Sequence, residues 1–124
     1  MTAPTAERVL VCGGRDYADR QRVFEVLDEY RDRAEVLIDG GAEGADMLAE
    51  QWAMSRDVPM LTFRADWQRH GRAAGPIRNG QMLAQGKPTL VIAFPGGRGT
   101  ADMVRQARTA GVPVREIGVA HDPE

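Results

Sequence analysis

Short runs rich in apolar residues alternate along the chain with stretches whose apolar positions recur every three or four residues. Arg8 to Cys12 reads as a first strand, closed by Gly13-Gly14. From about Asp19 to Asp32, Val23, Val26, Leu27 and Tyr30 fall at i, i+3, i+4 and i+7, the spacing of one helix face. Glu35 to Asp39 is a second strand, closed by Gly40-Gly41, and a helix from about Gly44 to Arg56 follows with Ala45, Leu48, Ala49, Trp52 and Ala53 as its apolar stripe. Pro59 to Phe63 gives a third strand. The segment Arg64 to Gly75 is polar and irregular and predicts a loop, after which Pro76 suits the first turn of a helix ending near Gly86. Thr89 to Phe94 is the most continuous apolar run and is broken by Pro95-Gly96-Gly97-Arg98-Gly99. A helix from about Thr100 to Ala110 turns Met103, Val104 and Ala107 inward, Gly111 is placed to cap it, and Val112 to Ile117 holds a last strand.

Strict alternation of strand and helix, with strands apolar on both faces, implies an α/β fold. We expect a single Rossmann-like, doubly wound parallel sheet of about five strands with helices on both faces, in one domain over residues 1–124 with its core at about 8–118. Ligands of such sheets bind beyond the carboxyl ends of the strands, where the connections part to opposite faces. The strand-to-helix loops are therefore where chemistry is expected.

Composition narrows the classes. The 16 basic and 18 acidic residues give a formal charge of −2, with no overall field for drawing in nucleic acid or anionic lipid. No apolar run approaches the roughly 20 residues of a membrane span. The residues Met1 to Glu7 lack the charged and apolar regions of a signal peptide, so the cytoplasm is the expected location. Cys12 is the only cysteine, so no intrachain disulfide can form, and its apolar surroundings favour a buried inert thiol over a catalytic one. No His/Cys cluster has metal-ligand spacing, and neither a metal nor a cofactor is expected.

The strand exits carry the candidate chemistry. Gly13-Gly14, Gly40-Gly41 and Gly96-Gly97 stand at equivalent positions. Glycine lets the backbone come close to an anion, and a helix N-terminus offers free N–H groups and a positive dipole end, so each exit is a candidate phosphate site. None fits GxGxxG in the right place, and GxxxxGK[ST] does not occur. In Pro95-Gly96-Gly97-Arg98-Gly99-Thr100 the glycines precede a helix that Thr100 can cap, unless its hydroxyl meets phosphate instead. In Gly40-Gly41-Ala42-Glu43-Gly44-Ala45-Asp46, Asp46 is either a dipole-matched acid or a carboxylate aimed at a ribose hydroxyl or a reacting water. Trp67 either stacks on a base or pins its loop. His70 is a loop-ordering donor or a catalyst. Arg78 and Asn79 lie near a predicted helix start, where a cation opposes the dipole, and this points to an anion partner for Arg78.

Taken together, Gly13-Gly14-Arg15-Asp16, Gly40 to Asp46, Trp67 to Met82 and Pro95 to Thr100 resemble the YspA (cpYpsA-related) family of the SLOG superfamily of Rossmann-like domains, in the same order from Val9 to about Ile117. The resemblance implies a nucleotide or nucleotide-derived ligand and a homodimer or larger assembly. A more distant resemblance is to the Lonely Guy phosphoribohydrolases, which cut the N-glycosidic bond of nucleoside monophosphates and carry PGGxGTxxE with an arginine from an earlier helix. Pro95 to Thr100 matches the phosphate-binding part and Arg78 the arginine, but Met103 stands in place of the glutamate. Asp102 is one residue earlier, about 100° away around a helix.

Two readings follow. One is a nucleotide-binding module, a sensor or processor, with phosphate on the turns at Gly41 to Asp46 and Gly96 to Thr100 and with Trp67 and Arg78 closing the pocket. The other is an N-glycosidase acting on nucleoside 5′-monophosphates, in which Asp46 or Asp102 replaces the glutamate and Arg78 holds phosphate. Nucleic acid is disfavoured as a partner by the acidic balance and by the lack of an aromatic-rich basic surface.

Overall fold

The strand β1 (Glu7–Cys12) occupies the centre of the sheet because both of its faces are apolar. Val9 and Val11 point to one side and Leu10 and Cys12 to the other, and all four are buried. In this computed structural model, which describes residues 6–118, β1 pairs with β2 (Ala34–Asp39) and β4 (Leu90–Ala93). The short strands β3 (Met60–Thr62) and β5 (Val114–Glu116) complete the sheet outside them. The order is β3-β2-β1-β4-β5 and every pairing is parallel, so the fold is a five-stranded Rossmann-like α/β fold.

Helices α1 (Arg20–Asp28) and α2 (Ala45–Ser55) cover the Val9/Val11 face, with Val23, Val26, Leu27, Ala49 and Trp52 packed on Leu37 and Ile92. The opposite face is covered by α4 (Ala74–Gln81), which continues as a π-helical turn over Met82–Gly86, and by α5 (Arg98–Thr109). Met82, Met103, Val104 and Ala107 pack there against Leu10, Ile38 and Val91. Met103 is fully buried, so the position of the Lonely Guy glutamate is part of the core. The chain changes faces between β3 and β4. That change opens a crevice between the exits of β1 and β4, the neighbours at the switch point.

Local signals set the helix ends. Asp19 caps α1 by accepting from the Arg22 N–H at 3.0 Å. Gly111, with φ of 79°, ends α5 as the Val112 N–H returns to the Ala107 carbonyl at 2.9 Å. The segment Arg64 to Gly75 departs from the predicted loop. Asp66 accepts from the Arg69 N–H at 3.1 Å and starts α3 (Trp67–His70), a 3₁₀ turn follows over Gly71–Ala73, and α4 begins at Ala74. Among the described residues, no helix is long and apolar enough to cross a membrane.

Candidate functional site

A cavity of about 540 Å³ lies beyond the carboxyl ends of β1, β2 and β4. Its wall brings together Gly13, Gly14 and Arg15 from the β1 exit, Asp46 from α2, Trp67, Arg78 and Asn79 from the α3–α4 segment, and Gly97, Gly99, Thr100 and Asp102 from α5. Gly40, Gly41, Gly44, His70, Pro95 and Gly96, also singled out from sequence, do not line it.

The glycines divide by what fills the place of the missing side chain. A Cβ on Gly13 would stand 2.5 Å from Ala45 Cβ, and one on Gly14 would stand 3.0 Å from the Pro95 carbonyl oxygen. On Gly44, whose φ is 75°, it would collide with the Gly14 carbonyl, and on Gly96 with Thr100 Oγ1. These four residues let the three loops pass close to one another, as the bonds from Gly14 N–H to Pro95 O at 2.9 Å and from Ala45 N–H to Gly14 O at 3.1 Å show. Gly97 and Gly99 are different. A Cβ on either would meet nothing within 4 Å, and neither has positive φ. Both face the cavity at the start of α5.

The N-terminus of α5 is open. Its N-cap is Gly97 and no side chain caps it, so of the two roles open to Thr100 capping is not the one it takes. The helix begins two residues earlier than the sequence pattern suggests, which brings Arg98 and Gly99 into the first turn. The N-cap of α2, Gly44, likewise lacks a side-chain cap, but the loop before it is tied down by carboxylates. Asp46 Oδ2 accepts from the N–H groups of Gly40 at 3.0 Å and Ala42 at 3.2 Å, and Asp39 Oδ2 accepts from Gly41 at 3.0 Å. Carboxylates of the chain itself thus occupy the N–H groups of Gly41 and Ala42, at the start of the turn expected to hold phosphate.

Burial pushes the Asp46 carboxyl up to about 6, against the pull of the Ala42 and Gly40 N–H bonds and of Arg78. Asp39 is raised as well, by burial first and then by its contact with Glu50. The Cys12 thiol on the cavity floor is pushed up to about 12 by burial, so it is held as the neutral, unreactive form.

Arg78 is placed differently from the sequence expectation. Because α4 starts at Ala74 and runs on through Gly86, Arg78 lies beyond its first turn and does not oppose the helix dipole. Its Nη1 donates to the Gly40 carbonyl at 2.7 Å and its Nε to Asn79 Oδ1 at 3.1 Å. Burial lowers its pKa, with Arg15 a further cause in the same direction. Asn79 is buried and donates from Nδ2 to Asp102 Oδ2 at 2.9 Å and to the Gly99 carbonyl at 3.3 Å. Asp102 also accepts from Gln106 at 2.7 Å and pairs with Arg105. Both of its oxygens are engaged, so it ties α4 to α5 and is not a free base.

Two arginines of the cavity are not among the site residues expected from sequence, Arg72 and Arg98. A signal was present in the repeated dipeptides Gly14-Arg15, Gly71-Arg72 and Gly97-Arg98, each putting an arginine beside glycine in a loop or turn. Arg15 also lies over the Trp67 ring at 5.5 Å from its centroid, and Trp67 is about half exposed. Among the described residues, no three His, Cys, Asp or Glu side chains are grouped to hold a metal ion.

A sequence profile described as the YspA, cpYpsA-related SLOG family matches residues 7–70 of the chain. The chain belongs to that family. This YspA-related SLOG protein is 39% identical over 121 residues to the Gene 61 protein of Mycobacterium phage D29, covering 90% of this chain and 96% of that protein. The family match takes in β1 to α3, so Arg72, Arg78 and the α5 turn lie beyond the matched stretch. Its fold is similar to that of DNA processing protein A (DprA) from Streptococcus pneumoniae, with a TM-score of 0.76 over 94% of this chain at 18% identity. The SLOG chain spans about half of that structure, 52% of its length, and the likeness is one of fold.

Proposed function

We propose that this SLOG-family chain is a single nucleotide-binding domain that takes a phosphorylated nucleotide or nucleotide-derived ligand in the switch-point cavity, as a sensor or processing module. The observation that carries this reading is the uncapped N-terminus of α5, where Gly97 and Gly99 leave open space facing a cavity lined by four arginines. Free N–H groups and a positive dipole end favour an anion there, and the absence of Cβ atoms lets it approach the backbone. Trp67 and Arg15 supply flat faces for a base. A cavity of about 540 Å³ suits one nucleotide-sized ligand better than a strand of nucleic acid.

Titration calorimetry with a panel of nucleoside phosphates, together with mass spectrometry of small molecules retained through native purification, tests this reading. Binding that survives removal of the phosphate, measured with the matching nucleoside, would overturn it.

The raised pKa of Asp46 on the cavity wall favours a second reading as an N-glycosidase. There Asp46 would orient a ribose hydroxyl or a water that adds to C1′ as the base leaves. Release of free base from a nucleoside 5′-monophosphate would decide for it. We further propose cytoplasmic location and self-association, the latter supported by exposed Met47, Met54 and Met60. A monomer by light scattering across a wide concentration range would refute the assembly.

A further inference from the structure

Of the fifteen arginines, eleven either make an ion pair or line the cavity, and none does both. Seven make ion pairs: Arg8, Arg22, Arg33, Arg56, Arg105, Arg108 and Arg115. None of those seven lines the cavity at the switch point. The four that do line it, Arg15, Arg72, Arg78 and Arg98, have no carboxylate within ion-pair distance among the described residues. Outside the cavity seven of eleven arginines are ion-paired, Arg20, Arg31, Arg64 and Arg69 being the others, whereas none of the four around it is.

The carboxylates on that wall offset only one of the four, Arg78, which Asp46 favours in its charged form. Asp102 is held by Arg105 from outside the cavity. Asp46 is the remaining one, and its Oδ2 is committed to the Gly40 and Ala42 N–H groups. Arg78 is partly used by Gly40 and Asn79. Arg15, Arg72 and Arg98 are exposed, Arg15 lying over the Trp67 ring. A single phosphate placed on the α5 N-terminus would be met by backbone N–H groups and one or two guanidinium groups, leaving the others without an anionic partner.

We infer that the ligand is a nucleotide carrying at least two linked phosphate groups, a nucleoside diphosphate or its derivative, and not a monophosphate. This rests on the nucleotide reading above. In it, one phosphate sits on the Gly97–Thr100 turn and the next is held by Arg98 and Arg72 at the rim.

The test is titration calorimetry of the full chain with ADP and with AMP, in magnesium-free buffer at low and at moderate salt. ADP is expected to bind at least about tenfold more tightly than AMP, with the gap narrowing as salt screens the rim arginines. The double variant Arg72→Gln/Arg98→Gln should bring ADP to within about threefold of AMP, and its unliganded melting temperature should match that of the parent, since both side chains are exposed. Equal affinities for ADP and AMP, or a gap that persists in the double variant, would overturn the inference and leave the nucleotide reading standing. If neither these two nor the diphosphates and monophosphates of the other bases bind, the nucleotide reading itself fails and takes this one with it.

Discussion

The guanidinium of Arg78 lies against the backbone of Gly40, with Nη1 donating to the Gly40 carbonyl at 2.7 Å and occupying the place a Cβ on Gly40 would need. The contact spans 38 residues of sequence and joins the β2 exit to α4, two walls of one cavity. Neither residue is explained without the other. Arg78→Ala leaves the Gly40 carbonyl and Asn79 Oδ1 without this donor, and Gly40→Ala pushes the guanidinium off the same carbonyl. Each change should lower stability by about 1–3 kcal/mol. The double variant should be little worse than either single, because both remove one interaction. Urea denaturation of all three variants measures this coupling, and strict additivity would show that the contact contributes nothing.

Gly99 should be dispensable for folding and needed for binding. A Cβ there meets nothing within 4 Å, and the residue stands in the first turn of α5. Gly99→Ala is expected to leave stability unchanged or raise it by up to about 1 kcal/mol through helix propensity. Nucleotide affinity should fall about tenfold or more, because the methyl group enters the space where phosphate approaches the backbone. Thermal unfolding and calorimetry separate the two effects. Unchanged affinity would move the phosphate away from this turn.

Stability should respond to pH through Asp46. Its folded pKa, raised by burial to about 6, lies above its unfolded value of 3.8, so the folded chain holds this proton more tightly. The resulting stabilisation is full below the unfolded pKa and is lost as pH rises through about 6. Asp46→Asn removes the charge and keeps an oxygen to accept from Gly40 and Ala42. It should equal or exceed the parent in stability at pH 7.5. Its stability should also change less between pH 7.5 and pH 5 than the parent's. Denaturant midpoints for both proteins at the two pH values check the sign, and identical pH slopes would show that Asp46 does not titrate in this window.

Trp67 is about half exposed and packs chiefly beneath Arg15 and beside Gly75. Trp67→Ala should therefore change stability by less than about 1 kcal/mol. Loss of base stacking should weaken a nucleotide by about 1–3 kcal/mol while leaving inorganic phosphate binding unaltered. Comparing the two ligands on this variant reports which end of the nucleotide the ring meets.

Much of the fold is legible along the chain because its signals are local. The apolar run closed by Gly13-Gly14 reads as a strand, and the stripe from Val23 to Tyr30 as one face of a helix. These patterns repeat within a few residues and need no knowledge of partners. The Arg64 to Gly75 segment was misread because its only strong helix signal is the Asp66 cap, and it lacks an apolar stripe.

The site divides along the same line. Sequence alone placed glycine and arginine at the strand exits, and strand order then put three of those exits around one cavity. It could not show that Asp39 and Asp46 fill the N–H groups of Gly40 to Ala42, nor that Asp102 is consumed by Asn79, Gln106 and Arg105. Nor could it tell Gly96 from Gly97, adjacent residues of one type. The first is glycine because Thr100 and Gly14 leave no room for a side chain, while the second faces open space in the cavity. What a missing Cβ would have touched is set by loops far apart in sequence, so only the tertiary structure decides which glycine serves packing and which leaves room for a ligand.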